Sequence, residues 1–317
     1  MMDKNDISRY FSENAADWLS DAYDQGDYNY PVGLHRTRLV TEILDGLFDS
    51  QGLNLIDIGC GGGDLCISAA QLGYHATGID QSAEMIGVAD ARRRSLPADT
   101  ASRVSFKRCS LDEIDQHLSS NAYAVATAMG FIGYLPDDGL LFAAAHKLLK
   151  PGGGLIVSCR NRLFNMTSIS KYTVHEIKNS TALALIEELE ELYHHIPEKN
   201  TVQFLQLLKE TASQFQLEQL EPRQKVDTVS SSETEAVSTP TIEARQHTPK
   251  QLGATAKSYG FTNTGLYGVH PHIIAPRLNT LLPPQVFNRL SDCLCAFEKL
   301  PISLAWSSVF LAVFQKT

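Results

Sequence analysis

Apolar and polar positions along this chain fall into two alternating periods, and their order predicts strands and helices in turn. Asn54-Leu55-Ile56-Asp57-Ile58 is a short apolar run of the kind a buried parallel strand needs. Gly59-Cys60-Gly61-Gly62-Gly63 breaks it abruptly, and a loop without side chains lets a ligand approach the backbone closely. Leu65, Ala69 and Leu72 then recur at helical spacing, with Gly73 where a helix would stop. A second strand, Ala76-Thr77-Gly78-Ile79, ends in Asp80, and Ser82 is placed to cap the next helix. Further strands are predicted at Val104-Ser105-Phe106-Lys107-Arg108, at Tyr123 to Met129, and after the glycine turn at 152–154.

The flanks divide the chain. Residues 1–50 carry Tyr10, Phe11, Trp18, Tyr23, Tyr28 and Tyr30 ahead of an amphipathic helix with Leu39, Ile43 and Leu47, a density that suggests a helical cap. Residues 161–246 form an insertion too long for a loop, and its place above the carboxyl ends of the strands predicts a helical lid over the acceptor. Val174, Ile177, Thr181, Leu185 and Leu192 predict one amphipathic helix there, and Phe204, Leu208, Ala212 and Phe215 a second. A Ser, Thr, Glu and Pro-rich stretch at about 222–246 predicts a flexible linker. Thr248-Pro249-Lys250-Gln251 then opens a helix with proline at its first position, and Tyr259-Gly260-Phe261 closes it into a strand. With a last strand at Ser307 to Phe314, residues 51–160 and 247–317 predict one α/β core: a doubly wound, Rossmann-like sheet of seven strands with an antiparallel C-terminal hairpin.

A glycine loop after a strand, followed about twenty residues on by a carboxylate at the next strand end, points to an adenosine-type ligand, because the carboxylate accepts hydrogen bonds from a ribose diol. Asp64 occupies the position where a dinucleotide fold wants its third glycine, and no Lys-Ser or Lys-Thr follows for a P-loop. The stretch Leu55 to Gly63 instead resembles motif I of the class I S-adenosylmethionine-dependent methyltransferases, small-molecule type. Gly78-Ile79-Asp80-Gln81-Ser82 resembles their next motif, and Leu148-Leu149-Lys150-Pro151-Gly152-Gly153-Gly154-Leu155-Ile156-Val157-Ser158 their fifth strand with its entry turn. The resemblance implies S-adenosyl-L-methionine as cofactor, with Asp57, Gly59, Cys60, Gly61, Gly63, Asp80, Gln81, Met85, Ser110 and Met129 around it. Two positions depart from the family pattern: Ser110 stands where an aspartate often holds the adenine amino group, and Ala124 follows Tyr123 where an aspartate is common. Arg36 or Arg38 could pair with the methionyl carboxylate, since a guanidinium matches a carboxylate bidentately.

The activity implied is methyl transfer to a small molecule, at oxygen rather than nitrogen. A hydroxyl acceptor needs its proton removed, and histidine is the usual base near neutral pH. His270 and His272, at the end of a predicted core strand, are the first candidates, and His247 the next. His194-His195 reads as solvated. Two alternatives stay open: a non-catalytic S-adenosylmethionine-binding protein serving regulation or assembly, and a protein methyltransferase.

Composition narrows the partners. The formal net charge of −9 argues against a phosphate-tracking nucleic-acid surface, and Arg92-Arg93-Arg94 reads as a solvated helix end. The six cysteines lie mostly inside predicted elements and read as small buried hydrophobes, and Cys293 and Cys295 lack a second ligand pair, so no metal is expected. Met1 to Asp6 has no apolar signal core and no apolar stretch is long enough to span a bilayer, which leaves the cytoplasm as the expected location.

Overall fold

The computed structural model describes residues 9–10, 12–14, 19, 23, 32–47, 51–214, 244–272 and 274–317, with the side chains at 204, 207, 208, 210–214 and 280 left aside. Most of the expected linker at 222–246, several aromatics of the expected cap (Phe11, Trp18, Tyr28, Tyr30) and the side chains Phe204, Leu208, Ala212 and Phe215 lie outside that set.

The core is an eight-stranded sheet. Its order is β3-β2-β1-β4-β5-β8-β7, where β1 is Asn54–Ile58, β2 His75–Asp80, β3 Val104–Arg108, β4 Tyr123–Met129, β5 Leu149–Asn161, β7 Phe261–Pro271 and β8 Ser307–Lys316. β6, Gln246–His247, adds two residues alongside β5. All neighbours in the first five strands are parallel; β8 runs antiparallel between β5 and β7, with Gly154 opposite Gln315 and Val269 opposite Val309. The carboxyl ends of β1, β2, β3, β4, β5 and β7 therefore share one edge, the edge on which ligands sit in open α/β sheets.

Strand alternation sorts the core into two layers. Leu55, Val125, Ile156, Val269 and Val313 face Leu39, Val40 and Leu44 of α1, Val32–Leu47, and Leu65, Ala69 and Ala70 of α2, Asp64–Gln71. On the other face Ile56, Ile58, Ala126, Leu155 and Phe310 meet Leu141, Phe142 and Ala145 of α4, Gly139–Leu148, and Leu252 and Ala256 of α8, Pro249–Ser258. The helix after β2, α3, spans Ala83–Arg94, and its last-turn arginines sit where the helix dipole favours cations. Arg92 bonds Asp64 at 2.7 Å and Arg93 bonds Asp90 at 3.2 Å.

Two features differ from the sequence pattern. The first expected insertion helix is two helices, α5 (Lys171–Lys178) and α6 (Ala182–His194), broken where Ser180 takes a φ of 57°. Val174 and Ile177 are exposed, while Leu185 and Leu189 pack with Leu163 and Ala305. The buried carboxylate of Glu176, which accepts the Thr181 hydroxyl, rather than apolar period, decides the geometry there. α7, Glu198–Gln214, follows. Secondly, the connection between β7 and β8 is itself helical, carrying a 3-10 turn at Pro276–Leu281, α9 at Pro284–Leu294 and a short helix at Ser303–Trp306. Phe287, Leu294 and Phe297 anchor it, and Ser303 Oγ accepts the Gly268 N–H at 2.9 Å.

Candidate active site

The glycine loop is tied to β2 by two bonds, since the N–H groups of Gly59 and Cys60 both donate to the Ile79 carbonyl at 2.8 and 3.0 Å. Gly59 has a φ of 73° and a Cβ there would overlap the Phe131 ring, so the turn admits no side chain. Asp80, at the end of β2, completes the cradle: one carboxylate oxygen accepts the Gly61 N–H at 3.0 Å and the other the Ser82 N–H at 2.9 Å. Burial pushes its carboxyl above the usual range, while the backbone N–H groups that it accepts work the other way. Each oxygen keeps a lone-pair direction, which suits the carboxylate to a pair of hydroxyl donors.

The pocket beside this cradle brings together seven of the residues expected to surround the cofactor: Gly59, Gly61, Asp80, Gln81, Met85, Ser110 and Met129. Ile58, Ile79, Met85 and Leu111 give it apolar walls wide enough in character for a flat ring. The N–H and hydroxyl of Ser110 both bond Glu113, at 3.0 and 2.9 Å. Asp57, Cys60 and Gly63 stand behind the wall. Asp57 is buried, accepts from the Thr127 hydroxyl at 2.7 Å and is raised to about 7 by desolvation. Burial drives the Cys60 thiol well above its ordinary value, and Gly63 caps α2 with its α-carbon against the Phe106 ring.

The structure separates the two arginines of α1. Arg38 bonds the buried Glu298 at 2.6 Å and Glu42 at 3.2 Å. Arg36 reaches the pocket instead: a Cβ on Gly130, which lines it, would lie 2.9 Å from Arg36 Nη1. Its Nε is buried with no hydrogen-bond partner among the described residues, and its charge acts on the buried Asp57.

None of the three candidate histidines lines the pocket. His247 is buried in β6 with Nε2 on both carboxylate oxygens of Asp138, at 3.0 and 3.1 Å, so that nitrogen is occupied and the proton-accepting role expected of His247 has no geometric support. His270 and His272 do lie at the carboxyl edge, but against each other, with ring centroids 4.5 Å apart, and against Phe164 and His35. Burial holds His270 well below its ordinary value and His272 at about 4, so both rings are uncharged and weakly basic at neutral pH. The His270 N–H donates to Glu298 at 2.9 Å, and burial raises that carboxyl to about 7.

Sequence patterning missed the segment after β4. Phe131, Tyr134, Leu135 and Pro136 line the pocket, and Arg245 fixes their loop from the return of the insertion, donating to the carbonyls of Leu135 at 2.8 Å and Ile132 at 3.1 Å. The aromatic pair Phe131 and Tyr134 directly after a strand end was the available signal.

A family model described as "Methyltransferase domain" matches residues 49–221. The ubiquinone biosynthesis O-methyltransferase of Hydrogenovibrio crunogenus is 28% identical over 170 residues, covering 53% of this chain and 66% of that protein. The enzyme of the same name from Vibrio atlanticus is 35% identical over 131 residues, covering 41% and 51%. The chain thus spans between about half and 66% of the length of these relatives. Among solved structures, magnesium protoporphyrin IX methyltransferase from Synechocystis with bound SAH superposes with a TM-score of 0.56 at 15% identity, covering 99% of this chain and all of that one, a likeness of fold.

Proposed function

Because the chain belongs to the methyltransferase domain family, whose model spans more than half of it, we propose that it transfers a methyl group from S-adenosylmethionine to a hydroxyl oxygen of a small molecule. The observation that carries this reading is the cradle in which Asp80 receives the N–H groups of Gly61 and Ser82 beside a side-chain-free turn. The names of the relatives support oxygen as the acceptor atom.

S-adenosylmethionine, when bound, supplies an electrophilic methyl on its sulfonium. The chain supplies position. Asp80 accepts from the ribose hydroxyls, the backbone at Gly59 and Gly61 leaves room beside them, and Ile58, Ile79, Met85 and Leu111 enclose the adenine. Arg36, beside Gly130, receives the methionyl carboxylate. Phe131, Tyr134 and Leu135 form the outer wall and keep water from the reacting side. Alignment of this kind contributes up to about 7–11 kcal/mol to a displacement, so little covalent help is required. We assign His247 to holding Asp138, and His270 and His272 to packing behind the acceptor side.

Incubation of the purified protein with methyl-labelled S-adenosylmethionine and a metabolite extract tests this directly. A labelled low-mass product is expected. Label found in protein, or bound cofactor with no transfer, would replace the reading by a protein methyltransferase or a binding protein.

A further inference from the structure

Resting on the reading that an acceptor enters this pocket, we propose that the acceptor carries an oxyanion, a carboxylate or a phosphate, and that Arg160 receives it at the pocket mouth.

Arg160 stands at the carboxyl end of β5, two residues after Ser158. Residues two apart on a strand share a face. Ser158 points at the pocket wall, its hydroxyl accepting the Gly130 N–H at 2.7 Å, so Arg160 projects on that same side one step nearer the open edge. Arg36 reaches Gly130 from α1, on the same layer. Tyr134 lines the pocket, and the positive charges of Arg160 and Arg36 act against the rise that burial gives its phenol.

The partners of the neighbouring arginines make Arg160 distinctive. Arg38 is bonded to Glu298, Arg92 to Asp64, Arg162 to Glu176 and Arg245 to Asp138. Among the described residues no carboxylate lies within ion-pair distance of Arg36 or Arg160, in a chain whose carboxylates exceed its Lys and Arg by nine. One of these two cations is accounted for by the methionyl carboxylate. The second faces the side from which an acceptor must come. Arg160 is exposed at this edge, and a guanidinium there can take an oxyanion through paired, charge-assisted hydrogen bonds.

The test is equilibrium titration of the protein saturated with S-adenosylhomocysteine, using benzoate and phenyl phosphate as anionic probes and benzamide as the neutral counterpart. At least one anion is expected to bind ten times or more tightly than benzamide, and which one does so identifies the oxyanion. Arg160→Gln should abolish that preference with S-adenosylhomocysteine affinity within twofold of wild type, and Arg160→Lys should restore part of it. Equal binding of anions and benzamide, absence of anion binding, or a preference that survives in Arg160→Gln overturns the proposal. Failure of S-adenosylhomocysteine to bind would instead defeat the methyltransferase reading, and the same titrations on the unloaded protein would still report on Arg160.

Discussion

Arg36 and Arg38 are two positions apart on one helix, and that spacing sends them to opposite sides. Arg38 goes to Glu298 and Arg36 to the pocket, an outcome sequence alone left open because Glu298 comes from a distant segment of the chain. Asp80 and Gly59 were legible, since a carboxylate at a strand end and a glycine at a turn are local features. The histidines were not, because whether a ring at a strand end meets ligand or protein depends on Phe164 and His35, which come from distant segments. Burial has a measurable consequence at His272. Its folded value of about 4 lies below the ordinary 6.5, so the unfolded chain takes up a proton before the folded one does. The associated stability is complete above about pH 6.5 and is lost as pH falls toward 4, at up to about 1.4 kcal/mol per pH unit. In urea denaturation followed across that range, His272→Phe should flatten the acid limb while keeping the tilted ring contact with Phe164. An unchanged slope would show that the ring is solvated.

At the scale of elements, one buried carboxylate ties the insertion's first helices to the residues that follow β5. Glu176 of α5 accepts from Arg162 at 2.9 and 2.7 Å and from Asn165 at 2.8 Å, and the Thr181 hydroxyl closes the turn onto it. These donors hold its carboxyl down at about 2. The cluster explains why the apolar period of 174–192 failed to give one helix: the turn at Ser180 lets Thr181 reach back to Glu176, and it takes Val174 and Ile177 out of register with Leu185. Glu176→Gln leaves Arg162 without its counter-charge and should cost roughly 3 kcal/mol at neutral pH. A depressed folded value stabilises above the unfolded value near 4.5 and is lost as pH falls toward 2, so the gap between wild type and variant should close in acid. Chemical denaturation at pH 7 and pH 3 measures both ends. Equal loss at the two would mean that packing, not charge, holds the insertion. Among the described residues none of α5 or α6 lines the pocket, and the return of the insertion meets the pocket's loop through Arg245, which holds the Ile132 and Leu135 carbonyls.

For the whole molecule, strand order places the site. The order turns back between β1 and β4, and the pocket opens at that crevice, with Gly59 following one strand and Met129 ending the other. Strands and glycine turns of this core were legible in the chain because each carries its own period and stop. The helices between β7 and β8 went unread: Pro276, Pro283, Pro284 and Pro301 divide that segment, and only Pro284–Leu294, with Phe287 and Leu294 on its buried side, is long enough to show a period. The central claim, that this crevice is an S-adenosylmethionine site organised by Asp80, is tested most directly by calorimetric titration of the cofactor into wild type and Asp80→Ala, with circular dichroism confirming the fold of each. The account predicts saturable binding by wild type and an affinity lower by about 1.5–3 kcal/mol, or roughly ten- to a hundredfold, in the variant. No binding by wild type, or equal affinity in the two folded proteins, would contradict it.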